Sequence, residues 1–220
     1  MPVIHLVRHG QASFGGADYD VLSPTGRQQA AVVGAALGAR CPRPASLVCG
    51  TLSRQRETAA LAAASAGWTG AVTGDGRWNE YDHLDILGAH AARAGATSPA
   101  FAEGVQQILE AALTGWVESG TTEGYAETWP SFTGRVRLAL AEVVGELDRG
   151  DAAVVFTSAG VVAAICADLL GLPPAGFLAV NRVQANASVT TVVHGRSGTS
   201  LLTFNEHAHL AVSTVPVTYR

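Results

Sequence analysis

Apolar positions fall in short runs that alternate with longer alanine-rich or amphipathic stretches. Val3–Val7 is short and β-rich and ends on Arg8-His9-Gly10, the pattern of a buried strand running into a loop. Leu22-Ser23-Pro24 carries a helix start, with Ser23 as N-cap and Pro24 at the first helical position; Thr25–Arg40 follows as the helix. Ser46–Cys49 predicts a second strand, Ser53–Ala66 a second helix, and Ala71–Thr73 a third strand leading to Trp78-Asn79-Glu80. From Asp85 to Gly120 a helical period is interrupted by glycines and by Pro99. Glu127–Arg149 predicts a long helix, since Pro130 sits early enough for a first turn. Asp151–Thr157 reads as a strand and Gly160–Leu170 as an apolar helix. Ala187–His194 and Ser200–Asn205, joined by Gly195-Arg196-Ser197-Gly198, read as a hairpin at a sheet edge. The alternation predicts one α/β domain over residues 1–220: a three-layer sandwich with a mostly parallel mixed sheet and helices on both faces.

Composition narrows the function. Hydrophobic residues make up 48% of the 220 and charged residues 15%, which excludes wholesale disorder. The net charge is −4, so the basic excess of a nonspecific nucleic-acid binder is missing. All 14 bases are arginine, and the absence of lysine excludes a lysine Schiff base or a P-loop lysine. Cys41, Cys49 and Cys166 form an odd, scattered set without CxxC or zinc spacing, which fits a reducing compartment. The first residues lack a signal-peptide pattern, and no run approaches the ~20 apolar residues of a membrane span. The expectation is a cytoplasmic protein with no membrane or nucleic-acid partner.

Arg8 and His9 lie at the end of the first strand, and ligands of open α/β sheets bind beyond such ends. Arg54 begins the helix after the second strand, so two guanidinium forks can converge at one sheet edge on an anion such as phosphate. The competing reading pairs Arg54 and Arg56 with Glu57 on the helix surface. Glu80 follows the third strand, where a carboxyl beside an anion would be raised in pKa and suit a general acid. Gln11 and Ser13 either donate to phosphate oxygens or shape the loop.

Together these pieces resemble the histidine phosphatase superfamily, the phosphoglycerate mutase-like family, from about Val3 to Leu210. The resemblance rests on Leu6-Val7-Arg8-His9-Gly10-Gln11-Ala12, Leu22-Ser23-Pro24-Thr25-Gly26-Arg27-Gln28-Gln29-Ala30, Arg54-Gln55-Arg56-Glu57-Thr58-Ala59, Asn79-Glu80-Tyr81 and Glu127-Thr128. Asn186-Ala187-Ser188-Val189-Thr190 and Phe204-Asn205-Glu206-His207 through Leu210 extend it. It implies that His9 is a nucleophile that becomes phosphorylated, that Arg8 and Arg54 clamp the phosphoryl group, and that Glu80 protonates the leaving oxygen. No cofactor is implied; arginines can neutralise the phosphoryl oxygens, and no acid or His spacing points to a metal. The segment at about 82–129 is expected to be a cap-like insertion over the strand ends, with Trp116, Tyr125 and Trp129 either lining the substrate site or packing the cap.

One departure stands out. Where the family carries a second histidine, in a pattern like Thr-His-Gly-Gly, this chain reads Thr157-Ser158-Ala159-Gly160. Ser158 can offer one neutral donor to phosphate, and a lost preorganised donor costs about 2.7–4 kcal/mol. His83, three residues past Glu80, is the nearest candidate to assist in its place. The expected activity is hydrolysis of a small phosphomonoester. The alternatives are a weakened phosphate-ester-binding or regulatory protein and, behind it, a mutase, which must hold a second anionic group although the middle segment adds little positive charge beyond Arg93. The expected ligand is a phosphomonoester or inorganic phosphate, and the edge hairpin leaves a homodimer open.

Overall fold

In the computed structural model the described residues are 1–13, 20–93, 105–120 and 124–219. The first apolar run forms β1 (Val3–Arg8). Ser23 caps α1 (Pro24–Arg40), its hydroxyl accepting the Gly26 N–H at 3.0 Å, as its place before Pro24 predicts. β2 (Ser46–Cys49) and α2 (Ser53–Ala66) have the bounds their patterns predict, and β3 is Val72–Gly74. A single 3-10 turn, Gly76–Trp78, leads to α3 (His83–Arg93). Then come α4 (Val105–Glu118), α5 (Trp129–Gly145) and β4 (Ala152–Thr157). Pro99 lies outside the described residues. The helix predicted over Glu127–Arg149 is shorter at both ends: Thr128 caps its start while Glu127 is used elsewhere, and past Gly145 the chain turns at Asp148–Asp151, where the Asp151 N–H bonds the Asp148 carbonyl. α6 (Ala159–Leu169) and α7 (Pro174–Arg182) precede the hairpin of β5 (Val189–Gly195) and β6 (Gly198–Glu206); α8 (Ala208–Ala211) follows.

The six strands run in the order β3-β2-β4-β1-β5-β6. β3, β2, β4 and β1 are mutually parallel, while β5 is antiparallel to both β1 and β6. The sheet is therefore mixed and mostly parallel, as the alternation of strands and helices predicts.

Period-2 alternation sorts the strand side chains to two cores. Val7, Leu47, Val154 and Phe156 pack with Val33 and Leu37 of α1 and Ala59 and Ala62 of α2. Ile4, Leu6, Ala153 and Val155 pack on the other face with α5, α6 and Phe177 of α7. The α1–α2 contact is close enough that a β-carbon on Gly34 would lie 2.3 Å from the Ala62 carbonyl oxygen, so the alanine-rich faces meet backbone to backbone only because this position is glycine.

Tyr81, Trp116, Trp129, Phe132 and Phe177 form one chain of ring contacts, with centroids 4.5–5.9 Å apart. Trp116 is fully buried and donates its indole N–H to the Glu127 carbonyl at 2.8 Å. These aromatics pack helices together. No helix among the described residues is long and apolar enough to cross a membrane. The three cysteines are free and buried, and burial pushes the Cys166 thiol up to about 12, too high for a thiolate at neutral pH.

Candidate active site

β1 delivers Arg8 and His9 to the carboxyl edge of the parallel strands. The His9 N–H continues the ladder to the Thr157 carbonyl at 2.9 Å, and the Arg8 N–H bonds the Ser188 carbonyl at 3.1 Å. His9 is 6% exposed. Its Nδ1 lies 2.7 Å from the Gly10 carbonyl oxygen, which can only accept, so the ring proton sits on Nδ1. That leaves the Nε2 lone pair available, and the Nε–H of Arg54 donates to it at 3.2 Å. Burial, then the nearby Arg54 and Arg8 charges, hold His9 well below the usual imidazole value. The imidazole is neutral over the physiological range.

Arg54 stands in the first turn of α2 and is 8% exposed. The surface-pair alternative fails for it: its Nη1 bonds Asp20 Oδ1 at 2.6 Å, and Asp20 Oδ2 accepts the Ser53 N–H at 2.7 Å. Glu57 instead pairs with Arg27 across the α1–α2 contact at 2.7 Å. Arg8 donates to the Gln184 carbonyl and, at 3.3 and 3.4 Å, to the Tyr219 carbonyl.

Glu80 arrives from the other side. Its loop is pinned by Arg135, whose Nη1 bonds the carbonyls of Arg77 and Asn79 at 2.8 Å each. Glu127 grips the same guanidinium through both oxygens at 2.6 and 2.8 Å. Asn79 locks the loop to Thr51, accepting its N–H at 2.6 Å and donating to its hydroxyl at 2.7 Å. Glu80 Oε2 accepts the Gly160 N–H at 3.1 Å. A β-carbon at Gly160 would stand 2.2 Å from Glu80 Oε1, so the carboxyl reaches the start of α6 only past glycine. Burial raises the Glu80 carboxyl above its usual value, against the lowering pull of the Gly160 N–H and of Arg54 and Arg8.

Ser158, the residue before α6, is fully buried. Its hydroxyl makes no cap bond to the helix; it accepts from Gln55 Nε2 at 2.9 Å. Gln55 is itself fully buried and also donates to the Trp78 carbonyl at 3.0 Å. His83 opens α3, half-buried; burial and the Arg54 charge lower its pKa, and Asp82 opposes them. Gln11 spends its side-chain oxygen on the Ser23 hydroxyl at 2.8 Å and its N–H on Gln29 at 2.9 Å, tying the loop to the α1 cap. The Ser13 N–H bonds the Val21 carbonyl at 2.8 Å.

His9, Arg54, Arg8 and Glu80 thus meet at one edge, where the Arg54 and Arg8 charges act on both His9 and Glu80; Ser158 is joined to it through Gln55, and the Arg54 charge also reaches His83. Sequence reasoning missed Asp20, Gln55 and Asn186, whose Nδ2 donates to the His9 carbonyl at 3.4 Å. Gln55 and Asn186 lie inside the family-like motifs, and a polar side chain in an otherwise buried setting is the signal they offered. Asp20 is 34 residues from its partner Arg54 and carries no local signal. Among the described residues no three His, Cys, Asp or Glu side chains converge as a metal site.

A neutral buried imidazole, two guanidinium groups and an enclosed carboxyl thus share one sheet edge. The sequence profile of the histidine phosphatase superfamily (branch 1) matches residues 4–207, and the chain belongs to that family. Membership makes it an enzyme of the phosphatase class. No curated protein matches the sequence. Among solved structures, a mycobacterial glucosyl-3-phosphoglycerate phosphatase in complex with VO3 is similar at 25% identity, covering 93% of this chain and 99% of that one, with a TM-score of 0.65. A phosphoserine phosphatase from Entamoeba histolytica in complex with phosphoserine shares the fold at 19% identity (96% and 100% covered, TM-score 0.69). So does a phosphoglycerate mutase from Bacillus anthracis at 20% identity (95% and 95% covered, TM-score 0.67).

Proposed function

We propose that the protein hydrolyses a small phosphomonoester through a phosphohistidine at His9. The observation that carries this reading is the state of the His9 ring: proton held on Nδ1 by the Gly10 carbonyl, Nε2 unprotonated and accepting from Arg54. Nε2 attacks phosphorus, the ester P–O bond breaks, and the Glu80 carboxyl gives its proton to the leaving oxygen. Phosphorylation makes the imidazole cationic, and the Gly10 carbonyl at Nδ1 stabilises that charge. Water then attacks the N–P bond, Glu80 recovers a proton, and phosphate leaves neutral His9 behind. Arg8 and Arg54 neutralise the non-bridging oxygens, the Arg54 Nε–H passing from His9 Nε2 to a phosphoryl oxygen once the ester is bound. Gln11 and Ser13 lie on the loop just past His9; the Gln11 side-chain oxygen is taken by the Ser23 hydroxyl, which supports the loop-shaping role for it.

A pocket of about 230 Å³ opens beside Glu80, lined in part by Tyr81, Asp82, Asp85, Trp116, Glu127 and Arg135. Arg135 is its one lining cation among the described residues and is already spent on Glu127 and two carbonyls. This favours a leaving group without a second anion, and so hydrolysis over mutase chemistry. The glucosyl-3-phosphoglycerate and phosphoserine phosphatases among the similar structures are consistent with hydrolysis of a phosphorylated metabolite.

The pH profile tests the roles. Neutral His9 is the reactive form, so kcat/KM falls on acidification only below its depressed pKa. Protonated Glu80 is the reactive form, so the rate on an alkyl phosphate falls as pH rises through a pKa above the usual carboxylate value. The expected optimum is acidic, and Glu80→Gln removes the upper limb. A Glu80→Gln enzyme that keeps the wild-type profile on the alkyl ester would contradict the assignment.

The enclosure of Ser158 favours a second reading, a phosphoester-binding pocket with slow turnover, because a neutral hydroxyl already engaged by Gln55 gives less to a transition state than an imidazolium. Ser158→His separates the two. The buried space beside Gln55 is filled, so the variant is expected to lose about 1–3 kcal/mol of stability from overpacking and to gain no rate. A tenfold rise in aryl phosphatase rate would show instead that the serine is a simple loss.

A further inference from the structure

The backbone of both candidate catalytic residues hangs on loop 183–188, between α7 and β5. The Gln184 carbonyl takes the Arg8 guanidinium and the Ser188 carbonyl takes the Arg8 N–H. The His9 carbonyl accepts the Ala187 N–H at 3.2 Å and Asn186 Nδ2 at 3.4 Å. This loop contains one of the two non-glycine residues, among those described, with left-handed backbone: Ala187, φ 54°. An alanine holds that conformation only when its surroundings impose it.

The other such residue, Asn205 (φ 55°), serves the same loop. Its side chain accepts the Ala185 N–H and donates to the Val183 carbonyl, each at 2.8 Å. The Ala187 carbonyl oxygen is met by His209 in α8, whose Nε2 lies 2.9 Å from it. That oxygen can only accept, so the His209 proton is on Nε2. His209 Nδ1 is enclosed with no partner among the described residues, so the Ala187 carbonyl is the ring's one polar engagement there. Packing does not require the bond, because α8 is already anchored by buried Leu210.

We propose that His209 is a positioning residue for the phosphoryl-transfer step: its Nε2–H holds the Ala187 peptide in the left-handed setting that aims the Ala187 N–H at the His9 carbonyl, and so fixes the line along which His9 Nε2 meets phosphorus. The inference rests on His9 being the nucleophile. Without the bond Ala187 relaxes towards negative φ, its N–H leaves the His9 carbonyl, and the imidazole loses its alignment. Misalignment slows chemistry while the clamp still binds phosphate, because Asp20 holds Arg54 and the Asn205 bonds to Val183 and Ala185 keep the Gln184 carbonyl in place under Arg8.

The test compares His209→Met with His209→Gln, which fill similar space but differ in whether they can donate. Three readouts are the phosphorylation burst with a reactive aryl phosphate, inorganic-phosphate affinity, and the 15N resonances of the His9 ring. The expected result for His209→Met is a burst slowed about 10- to 100-fold, phosphate affinity within about threefold of wild type, and shifted His9 resonances, with most of the loss restored in His209→Gln. A wild-type burst with unshifted His9 resonances in His209→Met would overturn the proposal. So would equal losses of burst and phosphate affinity that glutamine does not restore, since those mark mere support of the fold. If the wild type gives no burst, the nucleophile reading fails, and the His9 resonances decide the positioning role alone: shifted in Met and restored in Gln supports it, unshifted overturns it.

Discussion

Replacing His9 with alanine is expected to lower phosphatase kcat by on the order of 10⁴–10⁶-fold, the scale on which loss of a covalent nucleophile is felt. Among the described residues the ring is the one group that joins an unprotonated ring nitrogen, a fixed tautomer and contact with a clamp arginine. No other described group at this edge offers a replacement: Ser158 is enclosed and bonded to Gln55, and all three thiols are buried. The variant should still bind phosphate, because Arg8 and Arg54 remain, and ligand at 100 times Kd should stabilise it by about 2.7 kcal/mol. Steady-state hydrolysis of an aryl phosphate together with thermal unfolding in phosphate checks both halves. A His9→Ala enzyme with wild-type turnover would remove the histidine from the mechanism.

Arg54→Ala carries the second-largest expected effect, a fall of about 10²–10³-fold in kcat/KM. Arg54 touches His9 directly, and Asp20 holds its far end so that the fork cannot swing out to solvent. Substitution by lysine should recover little. An ammonium group lacks the planar fork that spans His9 and Asp20 at once, and a desolvated lysine sheds its proton more readily. Asp20→Asn, which keeps a hydrogen bond but loses the charge, is expected to give a smaller fall of about tenfold, read in KM for the aryl phosphate more than in kcat. If Arg54→Lys matched wild type, point charge rather than geometry would govern the clamp.

The elements legible in the sequence were those with local punctuation. Ser23-Pro24 marks the start of α1, the alanine-rich run bounds α2, and the Gly195–Gly198 turn joins β5 to β6. α7 was not read, because its Pro173-Pro174 opening looks like a loop and its nine residues show little beyond Phe177 facing the core. The middle segment gave its helical period but not its division, since α3 and α4 owe their places to packing of Ile86, Leu113 and Trp116. At the candidate site, Arg8, His9 and Arg54 stand out in the sequence because they sit at a strand end or a helix start, and Glu80 because it follows the third strand within a family-like motif. Asp20 and Gln55 could not, because their roles exist only once α2 meets the loop before α1 and the end of β4. Glu127-Thr128 was visible as a motif, but its work is structural: Glu127 fixes Arg135 under the Glu80 loop, and Thr128 caps α5.

Passage of the phosphoryl group through His9 is tested by rapid quench with a reactive aryl phosphate, followed by mapping of the labelled residue. The expected phosphoryl group forms before steady state, is labile to acid and stable to base, maps to His9, and is missing in His9→Ala. Turnover with no phosphoenzyme at any quench time, or label on another residue, would contradict it.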